Sequence, residues 1–177
     1  LVGQKIVVKA KNPESEAIGR MQNEARWLKL LNRKGIGPKF LFVDEDYFTY
    51  KFVEGEFIIP YMKETNKSNI KSVLKKVFEQ CYIMDLMKID KEEMHHPLKH
   101  ILVKRNEPTM IDFERVHATE TPKNVTQFCQ FMISAKLKPI FMDKGIKVDR
   151  RSMLAAAKRY KKEMNDKNLR EIVKLIK

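Results

Sequence analysis

Residues 109–115 read Thr-Met-Ile-Asp-Phe-Glu-Arg, and this stretch decides how the rest of the chain is interpreted. Residues 101–103 and 109–111 are short β-branched and apolar runs, which predict two brief strands around a turn at residues 105–108. Asp112 follows the second strand directly. The pattern therefore predicts an aspartate whose carboxylate is presented at a strand end.

A second informative segment lies at the front of the chain. Residues 4–11 predict a strand, because β-branched residues dominate it, and the two-residue alternation places Lys9 on the same face as Val7. Asn12-Pro13 favours the start of a helix, and the glycines and proline of residues 35–38 favour its end.

One carboxylate of this predicted helix lies on its apolar side. Ala17, Met21, Leu28 and Leu31 recur at helical spacing, and Glu24 falls within the same stripe. A carboxylate on a buried face needs a partner, because burying an unpaired charge is costly. Fifteen residues separate Lys9 from Glu24, and the two together predict an ion pair.

The remaining segments predict a mixed fold. Residues 39–43 and 47–53 predict an antiparallel hairpin that ends at Glu54-Gly55. Helical periodicity follows over residues 68–88, 124–135 and 151–163, and in a last helix that carries Leu169, Ile172, Val173 and Ile176. We therefore expect an α+β fold, with a small antiparallel sheet and one helix first and helices afterwards.

Four features in this order resemble the protein-kinase signature set: Lys9 on a strand, Glu24 on the next helix, Glu54-Gly55 after a hairpin, and Asp112-Phe113 after another. Where that set has V-A-I-K and D-F-G, this chain has I-V-V-K and D-F-E. The chain is most similar to small atypical archaeal predicted serine/threonine kinases, and also resembles RIO and lipopolysaccharide kinases. The resemblance covers roughly residues 1–115.

The resemblance implies a bilobal protein-kinase-like fold, with an N-terminal lobe at residues 1–53, a helical C-terminal lobe at residues 54–177 and ATP between them. Lys9 and Glu24 would then act on the phosphates and Asp112 on Mg²⁺. Val7 would line the nucleotide site beside Lys9. Lys51, Phe52 and Val53 would match the hinge, whose backbone groups pair with an adenine edge.

The catalytic loop departs from that pattern, since residues 92–102 hold no aspartate or asparagine where H-R-D-x-x-x-x-N is expected. Alignment on the strand that follows puts His100 at the second metal-ligand position and His95 at the catalytic-base position, with Glu93 as a second candidate base. A histidine ligand would suit Mn²⁺ better than Mg²⁺. The alternative is a catalytically degenerate nucleotide-binding pseudokinase or scaffold that docks RNA or a ribonucleoprotein through its basic C-terminal helices. A third possibility is a basic nucleic-acid-binding protein unrelated to kinases.

Two other kinase elements have no counterpart. Only eight residues precede Lys9, too few for a G-x-G-x-x-G loop, so we expect that the native chain begins further upstream. No A-P-E segment follows Asp112, which predicts a short activation loop and a limited peptide-docking surface.

Metal sites built on histidine or cysteine have little support. His95, His96, His100 and His117 could in principle bind zinc, but the chain has no H-E-x-x-H. Cys81 and Cys129 lie in apolar helical stretches and form no C-x-x-C unit, so we expect both in the core.

The charge of the chain is uneven. Its net charge is +13, and residues 134–177 hold 14 Lys and Arg against 5 Asp and Glu. Such an excess predicts either a solvated lysine-rich surface or a site for RNA, a ribonucleoprotein or an acidic protein surface. The apolar runs are shorter than the roughly 20 residues that span a bilayer, so we expect a cytoplasmic protein with no membrane contact.

Overall fold

The computed structural model describes residues 5–10 and 19–177. Within these residues the chain is an α+β protein with small antiparallel sheets and seven α-helices, so the predicted mixed class is confirmed. The strands are β1 (Ile6–Ala10), β2 (Phe40–Val43), β3 (Tyr47–Lys51), β4 (Glu56–Phe57), β5 (Ile89–Asp90), β6 (Ile101–Lys104), β7 (Glu107–Met110) and β8 (His117–Ala118). The helices are α1 (Arg20–Asn32), α2 (Ile58–Glu64), α3 (Lys67–Leu86), α4 (Asn124–Met132), α5 (Lys138–Asp143), α6 (Arg150–Lys162) and α7 (Asp166–Lys174).

The first sheet has the order β1-β3-β2 and is antiparallel throughout. Lys9 lies opposite Phe48 and Val7 opposite Tyr50. Val7 and Lys9 are both partly buried whereas their neighbours on β1 are exposed, which confirms that the two share a face. The strand occupies Ile6–Ala10, and the outermost positions of the predicted span, residues 4 and 11, lie outside the described residues.

Helix α1 connects this sheet to the rest of the protein. Glu24, Leu28 and Leu31 are buried on one side of it, as the apolar stripe predicts. The Asn23 side-chain amide donates hydrogen bonds to the carbonyl oxygens of Glu114 and Val116, both at 3.1 Å. The predicted start of this helix at Asn12 lies outside the described residues.

The second sheet has the order β4-β6-β7, and its β6–β7 hairpin carries the segment that precedes Asp112. The predicted turn at residues 105–108 was too long, because Glu107 and Pro108 belong to β7. The turn itself is Arg105-Asn106, both with positive φ, and such a two-residue turn matches the twist of the strands it joins. β7 ends at Met110, so Asp112 does not follow the strand directly as predicted but comes after Ile111. The Ile111 N–H donates to the His100 carbonyl at 2.9 Å and holds these segments together.

The later helices agree with the predicted periodicity, although α4 ends at Met132 rather than at residue 135. Two helices were not predicted: α2 and α5, with seven and six residues, are too short to show a periodic pattern. β5 and β8 form a third small sheet that was also missed.

The buried apolar side chains form one cluster that extends from α1 to α7. Cys81 and Cys129 are buried in it with free thiols, as predicted. Burial raises the pKa of Cys129 to about 12, so this thiol stays protonated. Among the helices of the described residues, none combines the length and apolar character needed to cross a bilayer.

Candidate functional site

Lys9 and Glu24 form the predicted ion pair between β1 and α1. The Lys9 ammonium lies 2.8 Å from Oε1 and 2.7 Å from Oε2 of Glu24. Only 5% of the Glu24 side chain is exposed, against 34% of the Lys9 side chain, so the ammonium keeps an open side. Burial alone would lower the pKa of Lys9, but the hydrogen bond and charge of Glu24 outweigh it, and the pKa is raised.

Glu24 also accepts a hydrogen bond from the segment at residues 109–115. Its Oε1 accepts the Phe113 N–H at 3.2 Å, which places the backbone after Asp112 directly beside the ion pair. The Phe113 ring is buried against Gly37, where a Cβ would lie 2.9 Å from the ring and 2.7 Å from Leu28. Since Gly37 also has φ 84°, only glycine fits there without strain.

Asp112 itself is in the left-handed region, with φ 63°. An aspartate tolerates this conformation better than most residues. The conformation is held by Lys91, whose ammonium donates to the Ile111 carbonyl at 2.9 Å and to the Asp112 carbonyl. Lys91 is buried, lies 4.7 Å from the centre of the Phe113 ring and has its pKa lowered to about 8 by burial.

Sequence reasoning missed Lys91, because a lysine between Asp90 and Glu92 is typical of an exposed polar loop. The available signal was weak: β5 ends at Asp90, and both of its residues are buried. A residue that directly follows a buried strand can still point inward, and a buried ammonium needs several acceptors. Lys91 has two backbone carbonyls for that purpose.

His100 lies beside Asp112, as the alignment of the catalytic loop implied. Its Nε2 lies 3.2 Å from Glu93 Oε2, and its Nδ1 lies 3.7 Å from Asp112 Oδ2. Burial and the nearby Lys91 charge lower the pKa of His100, which favours the neutral ring. The Nδ1 atom is buried without a hydrogen-bond partner among the described residues. In the tautomer that carries its proton on Nε2, beside Glu93, Nδ1 would have a free lone pair next to the Asp112 carboxylate.

The carboxylates of Glu24, Asp112 and Glu114 lie near each other, with one oxygen of each within 4.8 Å of the others. Glu24 is already bonded to Lys9 and Phe113, and Glu114 lies 3.5 Å from Arg20. His100 is not part of this cluster, although its Nδ1 lies 3.7 Å from Asp112 Oδ2. Carboxylate oxygens of this kind fit a divalent cation, and a nitrogen ligand from His100 would suit Mn²⁺ better than Mg²⁺.

The two candidate bases lie in different surroundings. A cleft of about 680 Å³ is lined by Glu93, His95, His100 and Arg115 among other polar residues. Glu93 bonds to Arg115 at 2.8 Å and also lines a smaller pocket of about 150 Å³ that includes Asp112. His95 is exposed and lines only the larger of these two spaces.

The predicted hinge residues differ in what their backbone can still bind. The Lys51 N–H donates to the Lys39 carbonyl at 2.8 Å, and the Phe52 N–H donates to the Lys5 carbonyl at 3.0 Å. Within the described part of the chain, no hydrogen bond from the Val53 N–H is observed. Val53 is therefore the predicted hinge residue with a backbone donor open to a ligand.

The four histidines do not come together as a zinc site. His95 and His96 are exposed, and His117 interacts with Glu92 at 3.5 Å, whereas His100 points toward Asp112. In residues 5–10 and 19–177, no cluster of three metal-binding side chains contains any of these histidines.

No model of a known protein family matches this sequence, and no curated protein is significantly similar to it. The functional assignment therefore rests on the geometry of Lys9, Glu24, His100 and Asp112.

Proposed function

We propose that this protein binds ATP with a divalent cation and transfers the terminal phosphoryl group, as an atypical kinase of bilobal architecture. The observation that carries the proposal is the contact chain from Lys9 through Glu24 to the Phe113 N–H, which brings an ammonium and the Asp112 carboxylate to one place. Phosphoryl transfer depends mainly on positioning and on neutralising phosphate charge. An oriented lysine beside a metal-binding carboxylate supplies both.

Each residue has a distinct part in this proposal. Glu24 fixes the Lys9 ammonium, whose open side would contact phosphate oxygens. Val7 shares the face of Lys9 and would contact the nucleotide, and Val53 would offer its N–H to the adenine edge. Lys51 and Phe52 would contribute side chains rather than N–H groups, because their N–H groups are used in the sheet.

A metal ion would be held by Asp112, with either Glu114 or His100 Nδ1 as a second protein ligand. When bound, it would neutralise charge on the phosphates. The support for Glu114 is that its carboxylate lies within 4.8 Å of that of Asp112. The support for His100 is its buried Nδ1 without a hydrogen-bond partner in the described chain, 3.7 Å from Asp112 Oδ2. A nitrogen ligand from His100 would favour Mn²⁺ over Mg²⁺ as the ion that sustains activity.

Two groups can accept the proton of the attacking hydroxyl. His95 occupies the catalytic-base position in the alignment, but it is exposed and lines only the larger cleft. Glu93 lines both the cleft and the pocket at Asp112, and its carboxylate touches His100. The geometry favours Glu93. A protein serine or threonine as acceptor follows from the family resemblance alone.

Transfer of labelled phosphate from ATP to a mixture of model protein substrates, with Mn²⁺ or Mg²⁺, tests this proposal. We expect transfer that is faster with Mn²⁺, abolished in Asp112→Asn and strongly reduced in Glu93→Gln, with His95→Gln near wild type. The opposite ranking of the last two variants would make His95 the base. ATP binding without transfer to any substrate would instead identify a pseudokinase.

A further inference from the structure

Helix α6 carries an excess of positive charge, and none of its cations forms a salt bridge with the described residues. Its 13 residues include six Lys and Arg and no Asp or Glu. No salt bridge within 4.0 Å involves any of these six side chains in the part of the chain that the structure describes. Some lysines and arginines elsewhere in the described chain are paired, as in Lys88–Glu120 and Arg115–Glu93.

The positive charges are concentrated on the side of α6 that faces solvent. Met153, Ala156, Ala157 and Tyr160 are buried, and this side of the helix packs against α4 and α7. At 100° per residue, Arg151, Lys158, Lys161 and Lys162 lie within about 100° of one another on the opposite side. We call these four exposed side chains the cationic face.

Acidic groups near α6 are engaged elsewhere or lie at its ends. Asp149 caps the helix by accepting the Ser152 N–H at 2.8 Å, and the hydrogen bonds from the hydroxyl and N–H of Ser152 are the main cause of its lowered pKa, to which the charge of Arg151 also contributes. Glu171 of α7 lies near Arg159, but its hydrogen bond goes to Lys174 at 2.8 Å, and this bond is the main cause of its lowered pKa. Glu163 follows the last residue of the helix. At 100° per residue, Arg159 lies outside the arc that the cationic face covers.

Helix α7 provides an internal comparison. It has three cations, of which Arg170 pairs with Asp166 at 2.7 Å and Lys174 pairs with Glu171 at 2.8 Å. Both helices belong to the lysine-rich end of the chain, and α7 pairs two of its three cations within the helix whereas α6 pairs none. The difference arises because α7 contains Asp166 and Glu171 whereas α6 contains no acidic residue, and it leaves the charge of α6 available to an external partner.

We propose that the cationic face binds the phosphate backbone of a nucleic acid. Arg151, Lys158 and Lys162 follow one line along the helix and span about 16 Å at 1.5 Å per residue. A phosphodiester chain presents negative charge repeatedly over such a length. This interaction is independent of the proposed phosphoryl transfer.

Two other anionic partners fit the surface less well. A membrane-surface helix needs a broad apolar side that enters the lipid, whereas Leu154 is the one large exposed apolar side chain on α6. An acidic protein surface would be expected to add apolar anchors at the centre of its interface. The solvent side of α6 offers mainly long, charged side chains.

The test uses the 177-residue chain and fluorescent 20-nucleotide RNA and DNA single strands, measured by anisotropy between 50 and 200 mM salt. Four phosphate contacts predict that affinity falls about 50-fold across this range, because each neutralised phosphate contributes about 0.7 to the logarithmic salt slope of a single strand. Arg151→Gln/Lys158→Gln/Lys162→Gln should weaken binding at least about tenfold at 50 mM salt and flatten that slope.

The matched control is Lys167→Gln/Arg170→Gln/Lys174→Gln on α7, which removes the same charge and should keep most of the affinity. Preference for the RNA or the DNA strand identifies the source of the phosphates, and circular dichroism checks that both variants fold. Equal losses in the two triple variants would overturn the proposal, because diffuse net charge would then suffice. No binding at 50 mM salt, or binding only to anionic vesicles or polyglutamate, would overturn it as well.

Discussion

Two buried helix carboxylates, Glu24 in α1 and Asp85 in α3, have opposite environments. Glu24 is bonded to the Lys9 ammonium, which keeps one open side. Asp85 accepts hydrogen bonds only from neutral donors: both amides of Asn124, the Val125 N–H and the Tyr160 hydroxyl. A buried acid therefore does not by itself indicate a functional site. The partner distinguishes them, since Glu24 orients the Lys9 ammonium whereas Asp85 caps the start of α4.

Removal of the Asp85 carboxylate should have the largest effect on stability. Asp85→Ala leaves four buried donors without their acceptor, and each such loss costs about 1 to 3 kcal/mol, so we expect the free energy of unfolding to fall by about 4 kcal/mol. Urea denaturation measures this loss. Protein that remains folded should keep its response to Mn-ATP, and loss of that response in the folded variant would contradict the purely structural role of Asp85.

The pH dependence of stability should also separate the two carboxylates. Burial outweighs the donated hydrogen bonds and raises the pKa of Asp85 from 3.8 to about 6. The protonated form is favoured in the folded state, so this contribution is complete below about pH 4 and is lost as pH rises through 6. Relative to Asp85→Asn, the wild type should lose up to about 3 kcal/mol between pH 4 and pH 7. Parallel unfolding free energies for the two proteins over this range would refute the assignment.

On the Glu24 side of the comparison, the main effect should be on activity. Lys9→Met removes the ammonium from the phosphates while Glu24 keeps its bond to the Phe113 N–H, and we expect phosphoryl transfer to fall on the order of 100-fold or more. Lys104→Met is the matched control, because it removes another ion-paired strand lysine whose partner, Glu54, is half exposed. Similar rates for Lys9→Met and wild type would place the phosphates elsewhere.

The smallest expected effect comes from Lys91, which acts on Asp112 through the backbone. Lys91→Met removes the donor to the Ile111 and Asp112 carbonyls, so Asp112 should lose its fixed orientation and Mn²⁺ affinity should fall about tenfold, as for other groups that orient a ligand. Titration of Mn²⁺ into the wild type and into Lys91→Met measures this change in affinity. Lys99→Met, an exposed lysine on the same loop, should have no effect. Equal Mn²⁺ affinity in Lys91→Met and wild type would remove Lys91 from the site.

Local patterns predicted the parts of the molecule that depend on local rules. Alternation on β1 gave the orientation of Lys9, helical spacing gave the buried position of Glu24, and the end of a hairpin gave the place of Asp112. The cost of burying an unpaired charge then predicted that Lys9 and Glu24 form an ion pair. These are the features for which short-range periodicity and the cost of burying charge are sufficient.

Other parts depend on contacts between distant segments and could not be predicted in this way. Lys91 can be buried because its ammonium donates to the carbonyls of residues 111 and 112. No sequence pattern near residue 91 indicates these contacts. Asp85 was within a correctly predicted helix, but its role depends on Asn124 and Tyr160. The prediction of a hinge at residues 51–53 did not foresee that the N–H groups of Lys51 and Phe52 already donate to the carbonyls of Lys39 and Lys5.

The most direct test of the proposed site is the melting temperature of wild type and Asp112→Asn with and without Mn-ATP. Asparagine tolerates the left-handed conformation of Asp112, so the variant removes charge without adding strain. At 100 times the dissociation constant, a ligand adds about 2.7 kcal/mol, which raises the melting temperature of a chain this size by about 5 to 10 °C. We predict this rise in the wild type and its loss in Asp112→Asn. No rise in the wild type, or an equal rise in both proteins, would contradict a nucleotide and metal site at Lys9, Glu24 and Asp112.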